Sequence, residues 1–224
     1  MDSAKRYAAI WDVDGTLVDT AEMHYQAWVE LAKQINKPFT RADFAATFGR
    51  RNPEILRALF DPNATDEEVL ELGTRKEDLY RAAARHGVEL LPGVRPLLEG
   101  LRAAGARQGV GSSAPRGNLE LILELTRTTE FFNAVVAMED TTRGKPDPQV
   151  FLLVAEKLGV PPGRCLVLED AVAGVEAAKA GGMKCVAVAF VGHHPAESLR
   201  RAGADRVVQT LEEVSADDVL KLLR

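Results

Sequence analysis

YAAIWDVDGTLVDT, residues 7–20, is the stretch whose reading decides the fold. A short apolar run ends in two aspartates two residues apart, followed by a glycine and a threonine. Read as a strand, the run sends side chains i and i+2 to the same face. The carboxyls of Asp12 and Asp14 then stand side by side where the strand ends. Carboxylates that close repel unless a cation lies between them or one keeps a proton. Gly15 allows the tight reversal that leaves both acids at an open edge. Such a pair works against stability, so it reads as a site.

Outward from this strand the pattern is helical from residue 20 to residue 89. Met23, Ala27, Leu31 and Ile35 recur at helical spacing within 20–35. Short helical segments are expected at 41–48 and 53–60. A longer one is expected over 66–86, begun by Asp66, Glu67 and Glu68 and ended by His86-Gly87. From Leu91-Pro92-Gly93 onward, helices and apolar segments alternate. Helices 94–104, 115–126, 147–158 and 171–181 lead to strands 107–111, 134–138, 165–170 and 185–190. A further helix, a strand at 205–209 and a last helix follow. This alternation predicts an α/β fold with a doubly wound parallel sheet. The α/β core is read as 1–19 plus 90–224, with 20–89 an all-helical cap inserted after the first strand.

Composition narrows the class. The 224 residues are 46% hydrophobic and 27% charged, ordinary for a globular protein that needs no staples. Cys165 and Cys185 each lie in an apolar run and read as reduced core cysteines of a cytosolic protein. No apolar run reaches membrane-spanning length, and MDSAKRYAAI carries no signal-peptide core. A net charge of −5 speaks against a general nucleic-acid footprint. The expectation is a cytoplasmic monomer with a small-molecule partner and neither nucleic acid nor membrane.

Open α/β sheets bind ligands beyond the carboxyl ends of their strands. There the chain gathers its polar residues: Asp12 and Asp14, then Ser112-Ser113, then Glu169-Asp170, with Lys145 in TTRGKPDP before a helix. Acids beside acids suggest a divalent cation, and an all-oxygen donor set favours Mg²⁺. A hydroxyl and an ammonium beside it suggest phosphate. The constellation resembles the haloacid dehalogenase-like superfamily over nearly the whole chain. Its motifs match DVDGT at 12–16, Ser112, Lys145 in GKPDPQVF, and EDAVAGVEAAKAGG at 169–182. Trp11 departs from the usual Phe and reads as a packing change.

The resemblance implies roles that chemistry also supports. Asp12 attacks phosphorus and carries the phosphoryl group, splitting one displacement into two. Asp14 protonates the leaving oxygen and later deprotonates the acceptor; relatives that cleave carbon–halogen bonds lack this acid. Ser112 and Lys145 hold phosphate oxygens. By the same carry-over Mg²⁺ is held by the Asp12 carboxylate, the Asp14 carbonyl and Asp170, with Glu169 binding directly or through water. Gly15, Thr16, Thr20, Ser113 and Arg116 join the expected substrate-binding set.

Plainer readings stand beside these. Lys145 alone is a surface lysine, Ser112 an N-cap for the helix near Pro115, and Glu169-Asp170 a cap for the helix that follows. Asp19-Thr20 is a helix start or a hinge. GVGSSA at 109–114 fits a dinucleotide-binding fingerprint, but no strand-ending acid follows about twenty residues on to hold a ribose.

Within the superfamily the likeness is to β-phosphoglucomutases and neighbouring sugar phosphatases. DTAEMHYQAW at 19–28 and RKEDLY at 75–80 carry it, the latter supplying Lys76 as a substrate-binding lysine. FGRRNPEIL at 48–56 departs from it: Asn52 stands where the mutase places an arginine, with Arg50 and Arg51 just before, and Ala114 and Arg116 also differ. A mutase must bind two phosphates and exclude water. An altered distal clamp favours a phosphatase of small phosphomonoesters, with His24, Arg51, Asn52 and Lys76 as cap contacts. His24 could equally pack on Trp28, one turn along. A mutase is the alternative, and an inactive phosphate sensor on the same fold is the reading from another class.

Overall fold

A computed structural model describes residues 7–47 and 50–224. The chain divides into two compact units, Met1–Asp19 with Glu89–Arg224, and Thr20–Val88.

The first unit is built on β1 (Ala8–Trp11), whose four residues are all buried. Helices cover both faces of such a strand, so it reads as a continuous apolar run rather than an alternating one. After α5 (Val94–Ala103) come β2 (Arg107–Gly111), α6 (Arg116–Leu125), β3 (Ala134–Val136), α7 (Gln149–Leu158) and β4 (Cys165–Glu169). Then α8 (Val172–Ala180), β5 (Lys184–Val188), α9 (Ala196–Arg201), β6 (Arg206–Val208) and α10 (Ala216–Leu222) complete it. All pairs are parallel, in the order β3-β2-β1-β4-β5-β6. The order reverses between β1 and β4, which opens a crevice at their carboxyl ends. Ile10, Val167, Phe151, Val154 and Leu158 pack the core under it.

The sheet is the doubly wound α/β fold expected from the alternation. Strand 134–138 stops early because Asp140 Oδ2 accepts the Ala137 N–H at 2.8 Å and tightens Met138–Asp140 into a 3₁₀ turn. Trp11 donates its indole N–H to Gln108 Oε1 at 3.1 Å, and Gln108 in turn donates to the Leu98 carbonyl. The indole is therefore a satisfied packing change. The glycines of GVGSSA have a packing cause: a Cβ on Gly111 would lie 3.1 Å from Phe151 and Val154 of α7.

The second unit is helical: α1 (Ala21–Gln34), α2 (Arg41–Thr47), α3 (Asn52–Leu59) and α4 (Asp66–Ala84). Phe48, at the end of the expected 41–48 segment, and the Phe48-Gly49 part of FGRRNPEIL lie outside the described residues. Helix α4 begins with a capping box in which Thr65 and Glu68 satisfy each other's backbone N–H. Thr20 precedes α1 but does not cap it with its side chain: at φ −114°, ψ 5° its backbone is not extended as a cap requires. Among the described residues no helix is long and apolar enough to cross a membrane.

Candidate active site

Asp12 follows β1 directly, and its N–H donates to the Leu168 carbonyl at 3.0 Å, extending the β1–β4 ladder by one residue. That bond sets Asp12 beside the end of β4, where Glu169 and Asp170 emerge. Gly15 turns the chain at φ +85°, and a Cβ there would overlap the Asp170 carboxylate. Glycine at 15 thus does two things: it reverses the chain and leaves room for the acid.

Lys145 reaches this corner from the loop before α7. Its Nζ donates to Asp12 Oδ1 at 2.7 Å and to Glu169 Oε1, over the Phe151 ring face at 4.9 Å. Glu169 Oε2 accepts the N–H groups of Asp170 and Ala171, both at 2.7 Å. So both Glu169 oxygens are engaged, and neither caps α8, whose N-cap position is Ala171. A Cβ on Gly174 would overlap the Glu169 carboxylate, which makes that glycine part of the corner.

One ammonium serves several carboxylates. Burial pushes the Asp12 carboxyl up to about 7, and Glu169 and Asp14 add to this while Lys145 opposes it. Burial, then Glu169 and Asp12, push Asp170 well above the usual carboxylate range. Lys145 moves upward because its acidic neighbours outweigh its own desolvation. The corner is short of positive charge.

Asp12, Glu169 and Asp170 offer oxygens within 4.8 Å of one another, and Asp170 Oδ2 is buried with no hydrogen-bond partner. An orphaned carboxylate oxygen in a corner short of cations, among oxygen donors only, fits a hard divalent ion such as Mg²⁺. Thr16 Oγ1 is likewise buried and unpartnered.

Ser112 stands at the end of β2, beside β1, and is buried. Its Oγ accepts the Ala114 N–H at 3.1 Å, so it shapes its own turn and does not cap α6, whose N-cap position is Pro115. Ser113 is half-buried in the same turn. Arg116 is occupied elsewhere, its guanidinium 2.5 Å from Asp140 and its N–H on Glu139.

In the helical unit, His24, Asn52 and Lys76 come together around Glu77. Lys76 Nζ lies 2.6 Å from His24 Nδ1 and 2.9 Å from Glu77 Oε1, and Asn52 donates to that same oxygen at 2.6 Å. Trp28 and Tyr80 present ring faces to the ammonium. His24 stacks on Tyr80, ring centroids 4.0 Å apart. Arg51 is half-buried at the start of α3. Glu77, Gly174 and Phe151 were missed as site residues, although each lies inside a motif string already singled out.

The family profile described as haloacid dehalogenase-like hydrolase matches residues 8–182. The chain is 33% identical over 217 residues to a beta-phosphoglucomutase of Bacillus subtilis, covering 94% of this chain and 92% of that one. It is also 33% identical over 187 residues to a fructose-1-phosphate phosphatase of Escherichia coli, covering 82% and 97%. A crystal structure of beta-phosphoglucomutase from Clostridium difficile superposes with a TM-score of 0.87 at 24% identity, covering 97% of each chain. That likeness shows a shared fold.

Proposed function

The chain belongs to the haloacid dehalogenase-like hydrolases, and from that premise we propose that it is a Mg²⁺-dependent phosphatase of small phosphomonoesters, sugar phosphates foremost. The observation that carries the proposal is the buried corner of Asp12, Lys145, Glu169 and Asp170 at the switch point of the sheet.

In this reading the Asp12 carboxylate attacks phosphorus as the bond to the sugar oxygen breaks. Asp14 gives that oxygen its proton. Water then attacks the aspartyl-phosphate, Asp14 takes the proton, and phosphate leaves with Asp12 restored. Lys145 and Ser112 hold the phosphate oxygens, and Lys145 balances charge on Asp12. Asp12 and Asp170, with the Asp14 carbonyl, would hold the ion, whose charge offsets repulsion between carboxylate and phosphate. Glu169, with both oxygens engaged, is read as orienting Lys145 and reaching the ion through water. The sheet unit is read as the catalytic core. The helical unit is read as a cap that selects substrate through His24, Arg51, Asn52 and Lys76.

Glu77 supports phosphatase over mutase. A mutase grips a second phosphate, yet Lys76 and Asn52 both spend hydrogen bonds on the Glu77 carboxylate. The mutase reading draws its support from the 33% identity to the B. subtilis beta-phosphoglucomutase. Phosphate release from a panel of sugar phosphates with Mg²⁺ tests the proposal. Conversion of β-glucose 1-phosphate to glucose 6-phosphate with little free phosphate would replace it with the mutase. Tight phosphate binding without turnover would replace it with a sensor.

A further inference from the structure

We propose that Gln149 is a positioning residue for Lys145, acting through the loop that carries the lysine; the inference rests on the proposed function. Residues 141–148 form no helix or strand. Hydrogen bonds must close a segment of that kind if it is to fix an ammonium between two carboxylates. Gln149, the first residue of α7, does so with one atom. Its Oε1 accepts the Thr142 N–H at 3.0 Å, the Thr142 hydroxyl at 3.2 Å and the Arg143 N–H at 2.9 Å.

Neighbouring contacts point the same way. Asp147 Oδ1 accepts the Gln149 N–H at 3.0 Å, its Oδ2 pairs with Arg143 at 2.9 Å, and its own N–H donates to the Gly144 carbonyl. Two residues into α7, Phe151 presents its ring to Lys145 Nζ. The start of one helix therefore holds the lysine twice, at the base of its loop through Gln149 and at its tip through Phe151. Reactions that depend on fixed charges lose rate steeply when a group shifts by an ångström. A loop tied only for stability would carry no such penalty.

The two roles separate on substitution. Gln149→Met keeps the length and removes the strong acceptor, whereas Gln149→Glu keeps acceptor oxygens. With a phosphomonoester substrate, Gln149→Met is expected to lower kcat about 10- to 100-fold while Gln149→Glu stays within about threefold of wild type. A Met variant as fast as wild type, or a Glu variant as slow as Met, overturns the proposal. Amide hydrogen exchange on the folded wild type decides the case if the Met variant does not fold. Thr142 and Arg143 amides should be protected, and exchange at the rate of unstructured chain overturns the proposal. That measurement needs no turnover. Wild type silent on every phosphomonoester would sink the proposed function alone and leave exchange to judge Gln149.

Discussion

Asp12→Asn is expected to make the metal-free protein more stable while abolishing turnover. The folded Asp12 carboxyl sits at about 7 against an ordinary 3.8. A folded value raised in this way means the acid's contribution is intact below about pH 4 and is lost as pH rises through about 7. At about 1.4 kcal/mol per pH unit, the charged form costs the fold about 4 kcal/mol at pH 7.5. The bond from Lys145 opposes this cost and is already contained in the folded value, so the neutral amide is expected to recover part of it, a gain of about 1–3 kcal/mol. For a chain of this length that is about 5 °C in melting temperature. Thermal melts in EDTA at pH 7.5 should show Asp12→Asn above wild type, with a smaller gap at pH 5. Added Mg²⁺ should raise wild type and shrink the gap, because the variant has lost a charged ligand. A variant melting at or below wild type in EDTA, or a gap indifferent to pH and metal, would refute the charge-shortage argument.

The remaining expectations follow from the same geometry. Asp14→Asn should lose at least about tenfold more rate with sugar phosphates than with p-nitrophenyl phosphate, whose leaving group needs no proton; equal losses would count against the acid role. Gly174→Ala should push the Glu169 carboxylate off Lys145, lowering kcat about 100-fold and stability by about 1–3 kcal/mol. Parallel kinetics and melts check this, and a neutral result would remove Gly174 from the corner. Glu77→Gln should release Lys76 from its ion pair and raise kcat/KM for hexose bisphosphates over monophosphates about tenfold. An unchanged ratio in steady-state assays would argue against substrate contact by Lys76.

The sheet was legible because strand and helix periods differ and the strands that carry the site end in polar residues. Asp12, Ser112 and Glu169 mark three such ends. Other features depend on geometry that no spacing encodes. Lys145 meets Asp12 across 133 positions, and only the motif pattern hinted at the meeting. Thr20 has the right side chain for a cap and the wrong backbone angles. His24 stacks on Tyr80 because α4 lies against α1, a tertiary fact. Nothing in the spacing of RKEDLY marks Glu77, yet it is buried and takes bonds from two helices.

The location of the strained corner follows from energetics. Several acids around one ammonium cost the fold several kcal/mol, and a peripheral strand would fray under that load. Here Asp12 extends β1 and Glu169 ends β4, the two central strands, each paired on both sides. Ile10 and Val167 beneath them are fully buried, and burying each such side chain contributes about 1.5–3 kcal/mol. Burial of this kind around central strands helps the scaffold tolerate the charge cost of the acids. The same balance implies that substitutions relieving the corner stabilise the protein and remove its chemistry together. A variant that gained metal-free stability at Asp12 or Asp170 yet kept full activity would break this link between strain and function.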